Sequence, residues 1–116
     1  MKRGDVVLVQ FPHAGATPPK LRPALVVQAD FYNQRISNVL VATITSNLRR
    51  RGDRAHYFID VSSALGKLTG LNQNSLVSCL NLAVVPTGDV RARIGELSPQ
   101  TMQGIDECLK AAFGIP

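Results

Sequence analysis

Short aliphatic runs, each of strand length and each closed by a breaker or a polar residue, restrict what this chain can fold into. Asp5–Phe11 reads Asp-Val-Val-Leu-Val-Gln-Phe between Gly4 and Pro12, Ala24–Val27 follows Pro23 and stops at Gln28, and Asn38–Thr45 ends in Thr45-Ser46-Asn47. Runs this brief and this apolar suit strands with both faces covered, not amphipathic helices. His56–Val61 reads as a further strand, Leu71–Val85 as one or two, and Val90–Ile94 as a short edge strand that sets Arg91 and Arg93 on one face.

One segment has a different period. Ser98-Pro99 offers an N-cap followed by proline at the first helical position, and Met102, Ile105, Leu109, Ala112 and Phe113 recur at spacings of three and four. This is an amphipathic C-terminal helix, with Gly114 placed to end it. About seven short strands without regular βα alternation predict a mainly β (α+β) chain: a small, curved antiparallel sheet or barrel with one helix packed on it. At 116 residues it forms one domain spanning residues 1–116. With only 5% aromatic residues and no Trp, its core has to be built from Val, Leu, Ile and Ala.

The connections carry the polar chemistry. Pro12 to Lys20 holds three prolines and a glycine in nine residues, so it is a loop, and it contains His13. A lone loop histidine is more often a bystander than a catalyst. The loop delivers the chain to Arg22, pinned by Pro23 in extended backbone at the mouth of a buried strand. Taken alone, Arg22 suits a functional charge on a rigid element, a solvated strand edge or half of an ion pair. Leu48 to Arg54 places four arginines within six residues, Arg49, Arg50, Arg51 and Arg54, and reads as the tip of a hairpin between two strands. The net charge of +5 favours a polyanionic partner and serves solubility equally well.

Cys79 and Cys108 lie 29 residues apart with no metal-binding spacing, so both are expected to be reduced, buried thiols. No cofactor or metal site is indicated. The N-terminus enters a strand at once and no apolar run approaches membrane-spanning length, so a soluble cytoplasmic protein is expected.

Five blocks then stand in a recognisable order: Gly4-Asp5-Val6-Val7-Leu8-Val9, Arg22-Pro23-Ala24-Leu25-Val26-Val27, Ala42-Thr43-Ile44-Thr45-Ser46, Gly70-Leu71-Asn72-Gln73-Asn74-Ser75 and Ile94-Gly95-Glu96-Leu97-Ser98. In order and approximate spacing the chain resembles the MazF/PemK/Kid-type toxins of type II toxin-antitoxin systems. The resemblance implies an SH3-like antiparallel β-barrel with a C-terminal α-helix, a homodimer, and an antitoxin protein as partner. It also implies a metal-independent, sequence-selective endoribonuclease that cuts single-stranded RNA to a 2′,3′-cyclic phosphate and a 5′-hydroxyl. Such chemistry needs a cation for the phosphorane charge, donors for the scissile phosphate and groups that move protons. By position, Arg22 and Thr45 match the catalytic arginine and hydroxyl. RNA contacts fall to Ser46, His13, Lys20, Arg49, Arg50, Arg51, Arg54, Asn74, Ser75 and Ser78.

The acid/base trio of Kid-like members is absent. Aligned on the prolines and the cysteine, Ala16 stands at the histidine, Ser78 at the arginine and Leu80 at the aspartate. That leaves the general base unassigned, since a guanidinium hardly deprotonates. Two rival readings stay open: a barrel that only binds RNA or a partner protein, and a gyrase inhibitor in the manner of the CcdB toxins. The arginine-rich loop makes RNA affinity steeply salt-dependent on the endoribonuclease reading. Neutralising Arg49, Arg50, Arg51 and Arg54 should flatten the slope of log affinity against log salt by about one unit for each phosphate that is no longer neutralised; an unchanged slope, in filter binding at several salt concentrations, would make the loop a solvated tip.

Overall fold

The computed structural model describes residues 1–11 and 20–116. In chain order the elements are β1 (Asp5–Gln10), β2 (Leu21–Val26), α1 (Asp30–Asn33), β3 (Asn38–Thr45), β4 (His56–Ile59), α2 (Ala64–Lys67), β5 (Ser75–Pro86), β6 (Val90–Glu96) and α3 (Pro99–Phe113). The six strands form one sheet in the order β4-β5-β3-β2-β1-β6, with every pairing antiparallel. Its end strands do not pair with each other, so the expected barrel takes the form of an open sheet. Both faces are nonetheless buried. Val6, Leu25, Ala42, Ile44 and Val77 pack on one side with Met102, Ile105 and Cys108 of α3. Val7, Val9, Ala24, Val26, Val39, Val41 and Val85 pack on the other. Helix α3 packs on the first of these faces, and Phe11, Ala83 and Val90 pack against the second.

Six strands stand where about seven were expected, because residues 71–85 contain a single long strand. Its register against β3 jumps from Ala42↔Leu82 to Thr43↔Ser78, which leaves Cys79, Leu80 and Asn81 as a bulge. A bulge bends the strand that carries it and sharpens the local twist. The half before the bulge also pairs with β4, through His56↔Ser78 to Ile59↔Ser75. The arginine-rich segment therefore does not close a hairpin. β5 lies between β3 and β4, so residues 46–55 form a connection that crosses over it. Asp30–Asn33, between β2 and β3, makes one short helix.

The C-terminal helix matches its sequence signals: Ser98 Oγ accepts the Thr101 N–H at 3.1 Å, Pro99 opens the helix, and Gly114 closes it at φ 69°. Arg3 ties the N-terminus to this helix, donating Nε to the Val27 carbonyl at 2.9 Å and pairing with Asp106 at 2.6 Å.

Gly70 and Gly52 both have positive φ, 73° and 92°, in different surroundings. A Cβ on Gly70 would run into the Ile94 carbonyl of β6, whereas one on Gly52 would meet open space. Left-handed backbone costs an L-residue about 1–2 kcal/mol, and forcing atoms into packed structure about 1–3 more. Gly70→Ala is therefore expected to destabilise by about 2–5 kcal/mol and Gly52→Ala by about 1–2, as read by chemical denaturation. Equal losses would mean that the Ile94 carbonyl gives way.

Candidate active site

The register between β2 and β3 decides where the sequence-predicted pair meets. Ala24 lies opposite Thr43, Leu25 opposite Ala42 and Val26 opposite Val41. Continued outward, the same register sets Arg22 across from Thr45, and alternation along each strand places both on the face that carries Ala24 and Thr43. Arg22, Thr45 and Ser46 line one cleft of about 650 Å³, closed on the far side by Gly70–Gln73 and Ser75. Arg22 is exposed. Among the described residues, the ion pairs involve Arg3, His56, Arg93 and Lys110 and leave Arg22 out of them.

The hydroxyl is held by its own turn. Thr45 Oγ1 accepts the Asn47 N–H at 3.1 Å, and Asn47 Oδ1 accepts the Arg49 N–H at 3.0 Å. With its oxygen used as an acceptor, the Thr45 hydroxyl keeps its proton to donate into the cleft. A guanidinium and a hydroxyl proton on two adjacent strands suit an oxyanion such as a phosphate.

A second cavity, of about 320 Å³, adjoins the first. Thr43, Thr45 and Asn81 line both, and Arg49, Arg50, His56 and Ser78 line only the second. His56 was not among the sequence candidates. Its ring is 4% exposed, with Nδ1 2.8 Å from Asp53 Oδ1 and Nε2 3.0 Å from Ser78 Oγ. An ionised carboxylate only accepts, so Nδ1 carries the proton; in the neutral ring Nε2 is then the acceptor, and Ser78 donates to it. Asp53 also accepts the Ala55 N–H at 2.9 Å. The His56 hydrogen bond first, then that of Ala55, hold its carboxyl below the ordinary value of 3.8. The sequence signal for His56 was the strand starting at residue 56; what it lacked was the strand that would lie beside it.

The remaining candidates divide. Ser46 is in the first cleft with Ser75, whose hydroxyl donates to the Gln73 carbonyl at 2.8 Å. Asn74 is turned to structural use, its Oδ1 accepting the Val61 N–H at 2.9 Å, and neighbouring Asn72 and Gln73 line the cleft instead. Arg49 and Arg50 reach the second cavity, Arg51 stacks over the Phe58 ring at 3.7 Å, and Arg54 lies in a groove beside the end of α3. Lys20 is exposed and lines neither cavity. His13 and Ala16 lie outside the described residues. Leu80, at the aspartate position of Kid-like members, is 57% exposed on the bulge. Cys79 and Cys108 are free and buried, as expected. Burial pushes the Cys79 thiol up to about 12 and raises that of Cys108, so neither supplies a thiolate nucleophile near neutrality.

The chain thus combines a six-stranded antiparallel sheet and a C-terminal helix with one cleft lined by Arg22 and Thr45. The family model described as the PemK-like, MazF-like toxin of type II toxin-antitoxin systems matches residues 2–113, and the chain belongs to that family. Endoribonuclease MazF6 of Mycobacterium tuberculosis (strain ATCC 25618 / H37Rv) is 31% identical over 105 residues, 90% of this chain and 88% of the relative. Endoribonuclease EndoA of Bacillus subtilis (strain 168) is 26% identical over 116 residues, 99% of this chain and 96% of the relative. Among solved structures, the Mycobacterium tuberculosis toxin MazF-mt6 superposes with a TM-score of 0.78 at 28% identity, covering 97% of this chain and 98% of its own. An endoribonuclease in complex with its cognate antitoxin from Mycobacterial species gives 0.80 at 22% identity, covering 100% and 97%, a likeness of fold alone.

The lowered carboxyl of Asp53 has a consequence for stability. A group whose pKa falls on folding contributes above its unfolded value and loses that contribution as the pH drops through its folded value. Asp53→Asn is therefore expected to melt below the parent at pH 7, with the gap closing as the pH is taken down through the carboxylate range. A gap that stays constant to low pH would assign the effect to something other than the ionised carboxylate.

Proposed function

We propose that this chain is the toxin of a type II toxin-antitoxin pair and acts as a metal-independent, sequence-selective endoribonuclease on single-stranded RNA. The observation that carries the proposal is the meeting of Arg22 and Thr45 in one cleft, set by the β2–β3 register, in a chain of this family. In the proposed reaction the RNA's 2′-hydroxyl attacks its own phosphorus, the bond to the 5′-oxygen breaks, and a 2′,3′-cyclic phosphate and a 5′-hydroxyl result. The guanidinium of Arg22 holds the equatorial oxygens as charge builds on them, and the Thr45 hydroxyl donates to one of them. Ser46 lines the same cleft, and Arg49 and Arg50 lie where the flanking backbone would run. DNA, without the nucleophile, is not a substrate.

A homodimer and a cognate antitoxin complete the reading. It is supported by the endoribonuclease–antitoxin complex of matching fold and by the large apolar side chains left at the surface, including Leu68, Val84 and Phe113. The proposed compartment is the cytoplasm. No helix among the described residues is long and apolar enough to cross a membrane.

The test is incubation with long single-stranded RNA in a chelator, with the ends of any fragments identified. Parent protein is expected to leave cyclic phosphate and 5′-hydroxyl ends, and no cleavage on several RNAs would favour a binding module. Arg22→Ala is expected to lose about 2–4 kcal/mol of transition-state stabilisation, a rate drop on the order of a hundredfold or more. Lysine should rescue little, because an ammonium lacks the planar fork. Thr45→Val should impair cleavage more than RNA binding. Folded variants that bind and cut at the parent rate would move the active site elsewhere.

A further inference from the structure

We propose that Asp53, His56 and Ser78 form the proton relay of the RNA-cleavage reaction, with the Ser78 hydroxyl taking the proton of the attacking 2′-hydroxyl and His56 taking that of Ser78. The inference rests on the endoribonuclease reading and names the general base that the missing Kid-like trio leaves open.

Geometry carries it. The pairings Thr43↔Ser78 and His56↔Ser78 put Thr43, Ser78 and His56 in one row across β3, β5 and β4, on the face that carries Thr45 and Arg22. Ser78 and Thr45 are diagonal neighbours in this sheet, roughly 7–8 Å apart by the usual spacing of such pairs. A phosphate oxygen, the phosphorus and the adjacent 2′-oxygen bridge that span with a hydrogen bond at each end. The cavity that holds Ser78 and His56 adjoins the Arg22 cleft, with Thr43, Thr45 and Asn81 lining both. The carboxylate at Nδ1 fixes the tautomer that leaves Nε2 free to accept, the same division of labour by which an acid orients a histidine behind a serine elsewhere.

The step balances. The 2′-oxygen bonds to phosphorus as its proton passes to Ser78 Oγ and the Ser78 proton passes to His56 Nε2. The P–O5′ bond breaks, the 5′-oxygen takes a proton from water, and the imidazolium returns its proton through Ser78 to the hydroxide so formed. Ser78 is the catalytic hydroxyl, and His56 and Asp53 are positioning residues that act through it. The charged groups around the ring are Asp53 at Nδ1 and Arg49 and Arg50 in the same cavity; Arg54 and, from the helix side, Lys110 share a groove with Asp53, and β3 and β5 present uncharged Thr43, Thr45, Leu76, Ser78 and Asn81.

Single-turnover cleavage of one RNA across pH tests the relay, with RNA affinity measured separately on a strand carrying a 2′-deoxy sugar at the cut. H56Q and S78A are each expected to lower the cleavage rate on the order of a hundredfold while binding the deoxy strand as the parent does. The rise of rate with pH across the range where imidazole loses its proton should vanish in H56Q. The double variant should be no slower than either single one, because the groups act as a unit. D53N, changed on an exposed turn, serves if H56Q does not fold: its rate should fall about tenfold as the ring loses the carboxylate that fixes its tautomer. A parent that cuts and an H56Q or D53N that cuts within about threefold with the parent's pH profile would overturn the relay alone. A parent that cuts no RNA would overturn the endoribonuclease reading and the relay with it.

Discussion

Everything that gives this fold a site depends on the pairing of β3 with its two neighbours. Through Ala24↔Thr43 it aligns with β2, and through Thr43↔Ser78 with β5. Because side chains alternate with a period of two, a slip of one residue in either register would turn Arg22 or Ser78 to the opposite face. Burial of Val39, Val41 and Ala42 on β3 and of Ala24, Leu25 and Val26 on β2 guards against such a slip, since it would exchange side chains between two cores that are each packed to their shapes. The hydrophobic core is thus what holds the polar groups in place.

The bulge at Cys79–Asn81 shows how one irregularity serves both packing and polar placement. The first half of β5 pairs with both β3 and β4, and the second half, past the bulge, pairs with β3 alone. Cys79 is driven into the core, where its N–H donates to the Ala55 carbonyl at 2.9 Å, and Leu80 is turned outward. Asn81 arrives between the two cavities. The Ala55 bond in turn anchors the end of the arginine-rich connection beside the Asp53–His56 pair, so a loop rich in like charge leaves its tip to solvent and its root ordered.

Electrostatic groups elsewhere are used for anchoring. Asp5, 3% exposed, accepts the Lys2 N–H at 2.8 Å and pairs with Arg93 at 3.0 Å, joining the chain start to β6. Arg91 donates to Gln10 Oε1 at 2.7 Å. The two arginines that the sequence sets on one face of an edge strand are therefore ties between β6 and β1, a role that composition and net charge do not distinguish from polyanion binding. Of the arginine cluster itself, only Arg49 and Arg50 face the site; Arg51 has settled on Phe58.

The sequence by itself determined the strand runs of β1, β2 and β3, the capped terminal helix, the burial of both thiols, and the family through five ordered blocks. Each of these is local, or a matter of order along the chain: a period of two or 3.6, a proline, a cap. It also named Arg22 and Thr45, because those lie inside the blocks. Only the tertiary structure decided that β5 lies between β3 and β4, that residues 71–85 are one bent strand, and that Asn74 faces away while Asn72 and Gln73 face the cleft. Only it brought His56 against Ser78, 22 positions along the chain. Periodicity states which face of a strand is buried and is silent on which strand lies beside it. Pairing is chosen by the fit of whole apolar faces across the sheet, so a side-chain pair that spans two strands has no signature in either one.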